Sequence, residues 1–105
     1  MSFDVDVATL ARAIDEGTPP LIVDTRSRAE YAAGHVPGAV HLPFWRAASR
    51  HRELQALSDT HIVLYCGHGP RAAIARRALQ RRGYRRIGVL QGHFSAWQRA
   101  AQSDG

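Results

Sequence analysis

The stretch Ile62-Val63-Leu64-Tyr65-Cys66-Gly67-His68-Gly69-Pro70-Arg71-Ala72 decides how this 105-residue chain folds. An apolar run of β type enters a loop of small, flexible or φ-restricted residues, and an alanine-rich segment of helical periodicity leaves it. α/β proteins bind their ligands at such junctions, beyond the carboxyl ends of the strands. Cys66 is the only cysteine. Most lone cysteines are buried small hydrophobes. A packing cysteine, however, has no use for glycines on both sides of a loop residue followed by proline. A loop that closes its N–H groups around an anion does. The helix amino terminus behind the loop also favours a thiolate. Cys66 is therefore expected to be a nucleophile.

The same alternation extends outward. Val7, Leu10, Ala11 and Ile14 recur at helical spacing after a potential cap, Asp6, and Gly17 can end that helix. Pro19-Pro20 separates it from Leu21-Ile22-Val23, a short run suited to a buried parallel strand that delivers Asp24 and Arg26 at its carboxyl end. Ser27 and Glu30 form a capping box for a short helix closed by Gly34, and His35-Val36-Pro37-Gly38 is turn chemistry. A strand is expected around Val40 to Leu42 and a weaker helix across Phe44 to Leu57. Downstream, a helix should bury Ile74, Ala75, Ala78 and Leu79, and Gly83 should end it. Ile87 to Leu90 should form a last strand, and Phe94, Trp97 and Ala101 should mark a last helix. Strands alternating with helices predict an α/β fold, a central mostly parallel sheet flanked by helices on both faces.

Composition narrows the function. Residues 1–105 suit a single domain, and 45% hydrophobic with 22% charged residues suits a globular one. No apolar stretch is long enough to cross a bilayer, and the amino terminus lacks a secretion pattern, so a cytoplasmic setting is expected. One cysteine builds no disulfide and no zinc site, the six histidines lack close ligand spacing, and no nucleotide-binding loop is present, so neither metal nor cofactor is expected. The formal charge is +5, carried entirely by arginine because lysine is absent. That charge suits anionic substrates or an acidic protein partner. Nucleic acid is not expected, because no recognition motif or set of stacking aromatics accompanies the arginines.

Four islands in order now carry a resemblance: Val23-Asp24-Thr25-Arg26, then Glu30 through Ala39, then Tyr65 through Ala72, and Leu90-Gln91-Gly92 followed by Trp97. From about Leu21 to Trp97 the chain resembles the rhodanese family of single-domain sulfurtransferases. That resemblance implies a rhodanese-like three-layer sandwich and transfer of a sulfane sulfur through a Cys66 persulfide. The donor would be thiosulfate or a similar small anion, and the acceptor cyanide or another thiophile, a thiol or a protein. The loop Gly67, His68, Gly69, Pro70, Arg71 and Ala72 would hold the anionic sulfur through its N–H groups, Pro70 excepted. Asp24 and Arg26 would support the loop, with Asp24 meeting Arg71 near it. Arg71 is read as binding the anion or as part of that scaffold, Glu30 as a capping residue, and His35 as a turn-tying residue. His68 is read equally as an anion attractor and as a solvent-facing side chain. Gly67 leaves thiosulfate and mercaptopyruvate both open. His93 stands where the family usually has a second glycine after Gly92, a departure expected to tighten or reposition the entry to the last helix and to say little about catalysis.

Related cysteine-dependent phosphatases and arsenate reductases have a loop one residue longer, C-x5-R, which makes room for a tetrahedral phosphate. The C-x4-R spacing here favours a compact sulfur atom. A sulfur relay to a protein partner and a non-catalytic binding module are the remaining alternatives. Retention of Cys66 and Gly69 argues against the second.

Overall fold

The computed structural model describes residues 2–103. Four strands, β1 (Leu21–Asp24), β2 (Val40–His41), β3 (His61–Tyr65) and β4 (Arg86–Val89), form an all-parallel sheet in the order β2-β1-β3-β4. Four helices, α1 (Val7–Asp15), α2 (Arg28–Ala33), α3 (Pro70–Arg81) and α4 (His93–Ser103), accompany it. Ahead of α1, Val5 adds a single parallel bridge to Leu90 beyond β4, so the amino terminus lies along that edge.

Strand alternation sorts the core into two layers. Val23, Ile62, Leu64 and Ile87 pack with Ala72, Ala75 and Leu79 of α3 on one face. Ile22, Val63 and Tyr65 pack with Leu10 of α1 and Phe94 of α4 on the other. Parity also separates the polar ends of the strands. Asp24 shares the side of Ile22 and Tyr65, towards α4, whereas Cys66 belongs to the α3 layer with Ile62 and Leu64.

The local signals act as read. The Asp6 carboxylate caps α1 by accepting from Thr9 N–H at 2.7 Å. Ser27 and Glu30 complete a reciprocal capping box on α2. Gly83, at φ +96°, follows α3. Two expectations are corrected. Phe44 to Leu57 holds two 3-10 turns, Phe44–Arg46 and His51–Leu54, rather than one helix. Pro43 begins the first and Gln55, left-handed at φ +53°, stops the second, so only Ala47 and Leu54 are buried. Ile74 does not face the core. It is 53% exposed, because the buried stripe of α3 is Ala72, Ala75 and Leu79.

Candidate active site

Sequence at the end of β3 builds the site. Tyr65 is the last strand residue, and the chain then turns over Cys66 to Gly69 before α3 begins at Pro70, the position where a missing N–H costs no helical bond. Gly69 is the residue before the helix and adopts φ +135°, a conformation that L side chains rarely hold. This bend aims its N–H at the sulfur, and Gly69 N–H donates to Cys66 Sγ at 3.0 Å. The N–H groups of Gly67, His68, Arg71 and Ala72 have no acceptor among the described residues. The loop carbonyls are occupied instead. The first turn of α4 would leave its N–H groups without partners, and Phe94 N–H donates to Cys66 O at 2.9 Å and Ser95 N–H to Gly67 O at 3.4 Å. The loop thus turns its Cys66 and Gly67 carbonyls towards α4.

Cys66 itself is a free thiol only 1% exposed, at the bottom of the loop, while His68 and Pro70 above it are exposed. The His68 side chain is exposed and makes no hydrogen bond or ion pair among the described residues.

Arg71 is not held by Asp24 as expected. Its guanidinium forms a two-pronged pair with Glu30, at 2.6 Å to Oε1 and 3.1 Å to Oε2. The Glu30 hydrogen bonds push Arg71 above its usual value, with a smaller contribution from Cys66. Reciprocally, those bonds pull the Glu30 carboxyl down to about 2, with help from the Ser27 cap. A Cβ on Gly67 would lie 3.3 Å from Arg71 Nη2, so glycine leaves room for the guanidinium against the loop. Glu30 therefore does two jobs, as cap for α2 and as clamp on Arg71.

Asp24 anchors a different network on the opposite face. It accepts from Arg26 Nη2 at 2.7 Å, from Arg26 N–H at 2.9 Å and from Tyr65 OH at 2.9 Å. Arg26 continues to Gly34 O at 2.6 Å and lies 4.1 Å over the Phe94 ring. Burial works to lower Arg26, and the Asp24 bonds and charge more than offset it. Burial pushes the Tyr65 phenol up, so it stays a donor. Asp24 and Arg26 thus both contact Tyr65, the residue before Cys66. His35 Nδ1 lies 2.8 Å from Tyr31 O and its ring stacks on Tyr31, in keeping with a turn-tying role.

His93 stands at the entry to α4, as expected. It holds a left-handed φ of +56°, which explains why a glycine would suit the position, and its Nδ1 accepts from Cys66 N–H at 3.3 Å. Burial first, then the charge of His68, lowers its basicity and keeps Nδ1 free to accept. The departure from a second glycine was the signal available in the sequence.

The rhodanese-like domain family matches residues 6–100 of this sequence. The chain belongs to the rhodanese-like family. This rhodanese-like domain is 33% identical over 96 residues to a sulfurtransferase of Allochromatium vinosum, covering 91% of this chain and 88% of that protein. It is 26% identical over 84 residues to the putative sulfur carrier protein YrkF of Bacillus subtilis; the match takes in 80% of this chain and 44% of the relative, so it spans less than half of that protein. Among solved structures, the rhodanese-like domain of the Alr3790 protein from Anabaena sp. superposes with a TM-score of 0.82 at 25% identity, covering 95% of this chain and 76% of that one. Sulfur transfer is the general activity these relationships support. No helix among the described residues is long and apolar enough to cross a membrane.

Proposed function

We propose that this rhodanese-like domain is a sulfurtransferase that carries a sulfane sulfur as a Cys66 persulfide, taking it from thiosulfate or a similar small anionic donor. The Cys66 thiolate attacks the outer sulfur of the donor, the donor's S–S bond breaks, and sulfite leaves with the bonding pair. Cyanide or another thiophile then attacks the outer sulfur of Cys66–S–S⁻, and the thiolate is restored. Charge and atoms balance in both steps, and no cofactor is required. The two half-reactions make the kinetics ping-pong.

The observation that carries this reading is the orientation of the loop: one N–H already on Sγ, four more without acceptors among the described residues, and the Cys66 and Gly67 carbonyls bonded to α4. An added sulfur sits about 2 Å beyond Sγ, where those donors can stabilise its charge. Arg71, held against the loop by Glu30, adds a fixed positive charge. Because Cys66 is buried in this conformation, donor access requires the loop to open, and Gly67 and Gly69 give it that freedom. Phosphate esters are a poorer fit, since the C-x4-R loop is short.

Intact-protein mass spectrometry after exposure to thiosulfate or mercaptopyruvate tests the proposal. A gain of one sulfur, removed by cyanide and absent in Cys66→Ser, is the expected result. Turnover by Cys66→Ser at the native rate would overturn it.

A further inference from the structure

Beside the sulfur loop, on the same carboxyl rim of the sheet, lies a cavity of about 360 Å³ whose walls include Arg28, His41, Trp45, Arg46, Arg50 and Glu53. Its charge is lopsided. Arg50 and Glu53 pair at 3.6 Å, whereas the side chains of Arg28 and Arg46 have no acceptor among the described residues. Trp45 is 57% exposed and supplies an apolar wall, braced edge-on by Phe44 at 5.3 Å.

The cavity is joined to the sulfur loop by main-chain bonds that cross the strand ends. Leu42 N–H donates to Asp24 O, Phe44 N–H to Thr25 O, and Thr25 N–H to Tyr65 O, each at 2.9 or 3.0 Å. Arg28 belongs to the same short helix as Glu30, the clamp on Arg71. Two strand spacings separate β2, which walls the cavity, from β3, which ends at Cys66, so at least about 10 Å of the rim lies between them. A small anion seated there cannot offer a sulfur to Cys66. An extended polypeptide can, because three residues at about 3.3 Å each span that gap.

The main chain favours a polypeptide as well. β2 is a two-residue edge strand paired only with β1. Since Leu42 N–H turns inward to Asp24, alternation turns the His41 main-chain N–H to the open edge, where an extended segment can pair.

We propose that this cavity docks an acidic polypeptide segment of the protein that exchanges sulfur with Cys66, with carboxylates on Arg28 and Arg46 and the reacting sulfur about three residues further along. The inference rests on the reading of Cys66 as the sulfur-bearing residue. In that exchange the partner's thiolate attacks the outer sulfur of Cys66–S–S⁻, the S–S bond breaks, Cys66 departs as thiolate, and the partner leaves as the persulfide.

Docking is tested apart from chemistry, in a Cys66→Ser background. The probe is a fluorescent seven-residue peptide with two adjacent glutamates three residues before a carboxyl-terminal cysteine, followed by anisotropy in dilute salt. The double variant Arg28→Glu/Arg46→Glu is expected to weaken binding at least tenfold. The control Arg77→Glu/Arg81→Glu makes the same change in net charge on the outer face of α3 and should stay within twofold of the parent. Equal weakening by both pairs would show attraction to net charge alone and overturn the proposal. So would the absence of binding, or a single-stranded RNA of equal length binding more tightly with the same dependence on Arg28 and Arg46. Because no sulfur moves in this assay, failure of the Cys66 chemistry and failure of the docking site are read separately.

Discussion

Replacing Asp24 by alanine should be among the most destabilising single changes in this protein. The carboxylate is fully buried and accepts from three groups that are buried with it: the Arg26 guanidinium, the Arg26 main-chain N–H and the Tyr65 hydroxyl. Alanine removes that acceptor while leaving the Arg26 charge inside, where Gly34 O and the Phe94 and Tyr65 rings remain to it but no carboxylate is hydrogen-bonded to it. Breaking one side of a buried ion pair costs about 3–5 kcal/mol. For a chain of this length, with an unfolding entropy of about 2.1 cal/mol/K per residue, that corresponds to a fall in Tm of roughly 14–23 °C. Thermal and urea unfolding, followed by circular dichroism, measure it. The companion Asp24→Ala/Arg26→Met, which removes the stranded charge as well, should recover part of the loss, since the penalty comes from the uncompensated ion. A loss below about 1 kcal/mol in the single variant, or no recovery in the double, would refute the account of this network.

Two further outcomes follow from the sulfur loop and its clamp. Glu30→Gln should cost about 1 kcal/mol near neutral pH, a value reduced for screening because the Glu30 side chain is 39% exposed. The carboxyl is depressed from 4.5 to about 2 in the folded chain, so its contribution is present above pH 4.5 and lost as pH falls through 2; urea unfolding at pH 7, 4 and 2.5 should show the gap between the two proteins closing, and a constant gap would contradict the pairing with Arg71. Gly69→Ala should cost about 1–3 kcal/mol from backbone strain at φ +135°. Because it disturbs the N–H that donates to Cys66 Sγ, it should also slow sulfur loading at least tenfold in a timed mass-spectrometric assay, and loading at the native rate would show that donor to be dispensable.

What the sequence disclosed, and what it withheld, divides along physical lines. Leu21 to Val23 and Ile62 to Tyr65 were readable as strands because both are short apolar runs, and the caps at Asp6 and Ser27 act through contacts three residues away. Ile74 misled because the periodicity of an alanine-rich helix defines a stripe only loosely, and small Ala72 and Ala75 take the close approach to the sheet. The expected Asp24–Arg71 contact failed for a deeper reason. Which face Asp24 takes relative to Cys66 depends on the register that pairs Val23 with Leu64, and register is a tertiary fact. The Glu30–Arg71 pair, 41 residues apart, and the contact of His93 with the Cys66 N–H, 27 residues apart, were hidden for the same cause.

Those long-range contacts hold the orientation of the loop. The Arg71 and Ala72 N–H groups belong to the first turn of α3, where no helical acceptor exists, and those of Gly67 and His68 lie in the loop before it. Rotating the loop peptides would break the bonds that α4 makes to Cys66 O and Gly67 O, as well as the one from Cys66 N–H to His93. The first turn of α4 needs those carbonyls to satisfy its own amides, so the two sets of unpaired groups hold each other in place. The sheet thereby divides the work at its carboxyl rim. On the α4 face, Asp24, Arg26 and Tyr65 bond to one another at the strand ends; on the α3 face, Gly69 N–H meets Cys66 Sγ and Arg71 is paired with Glu30. Contacts from α4 and α2, rather than bonds within the loop alone, therefore hold the closed conformation of the loop, and the proposed opening for a donor has to break the α4 contacts.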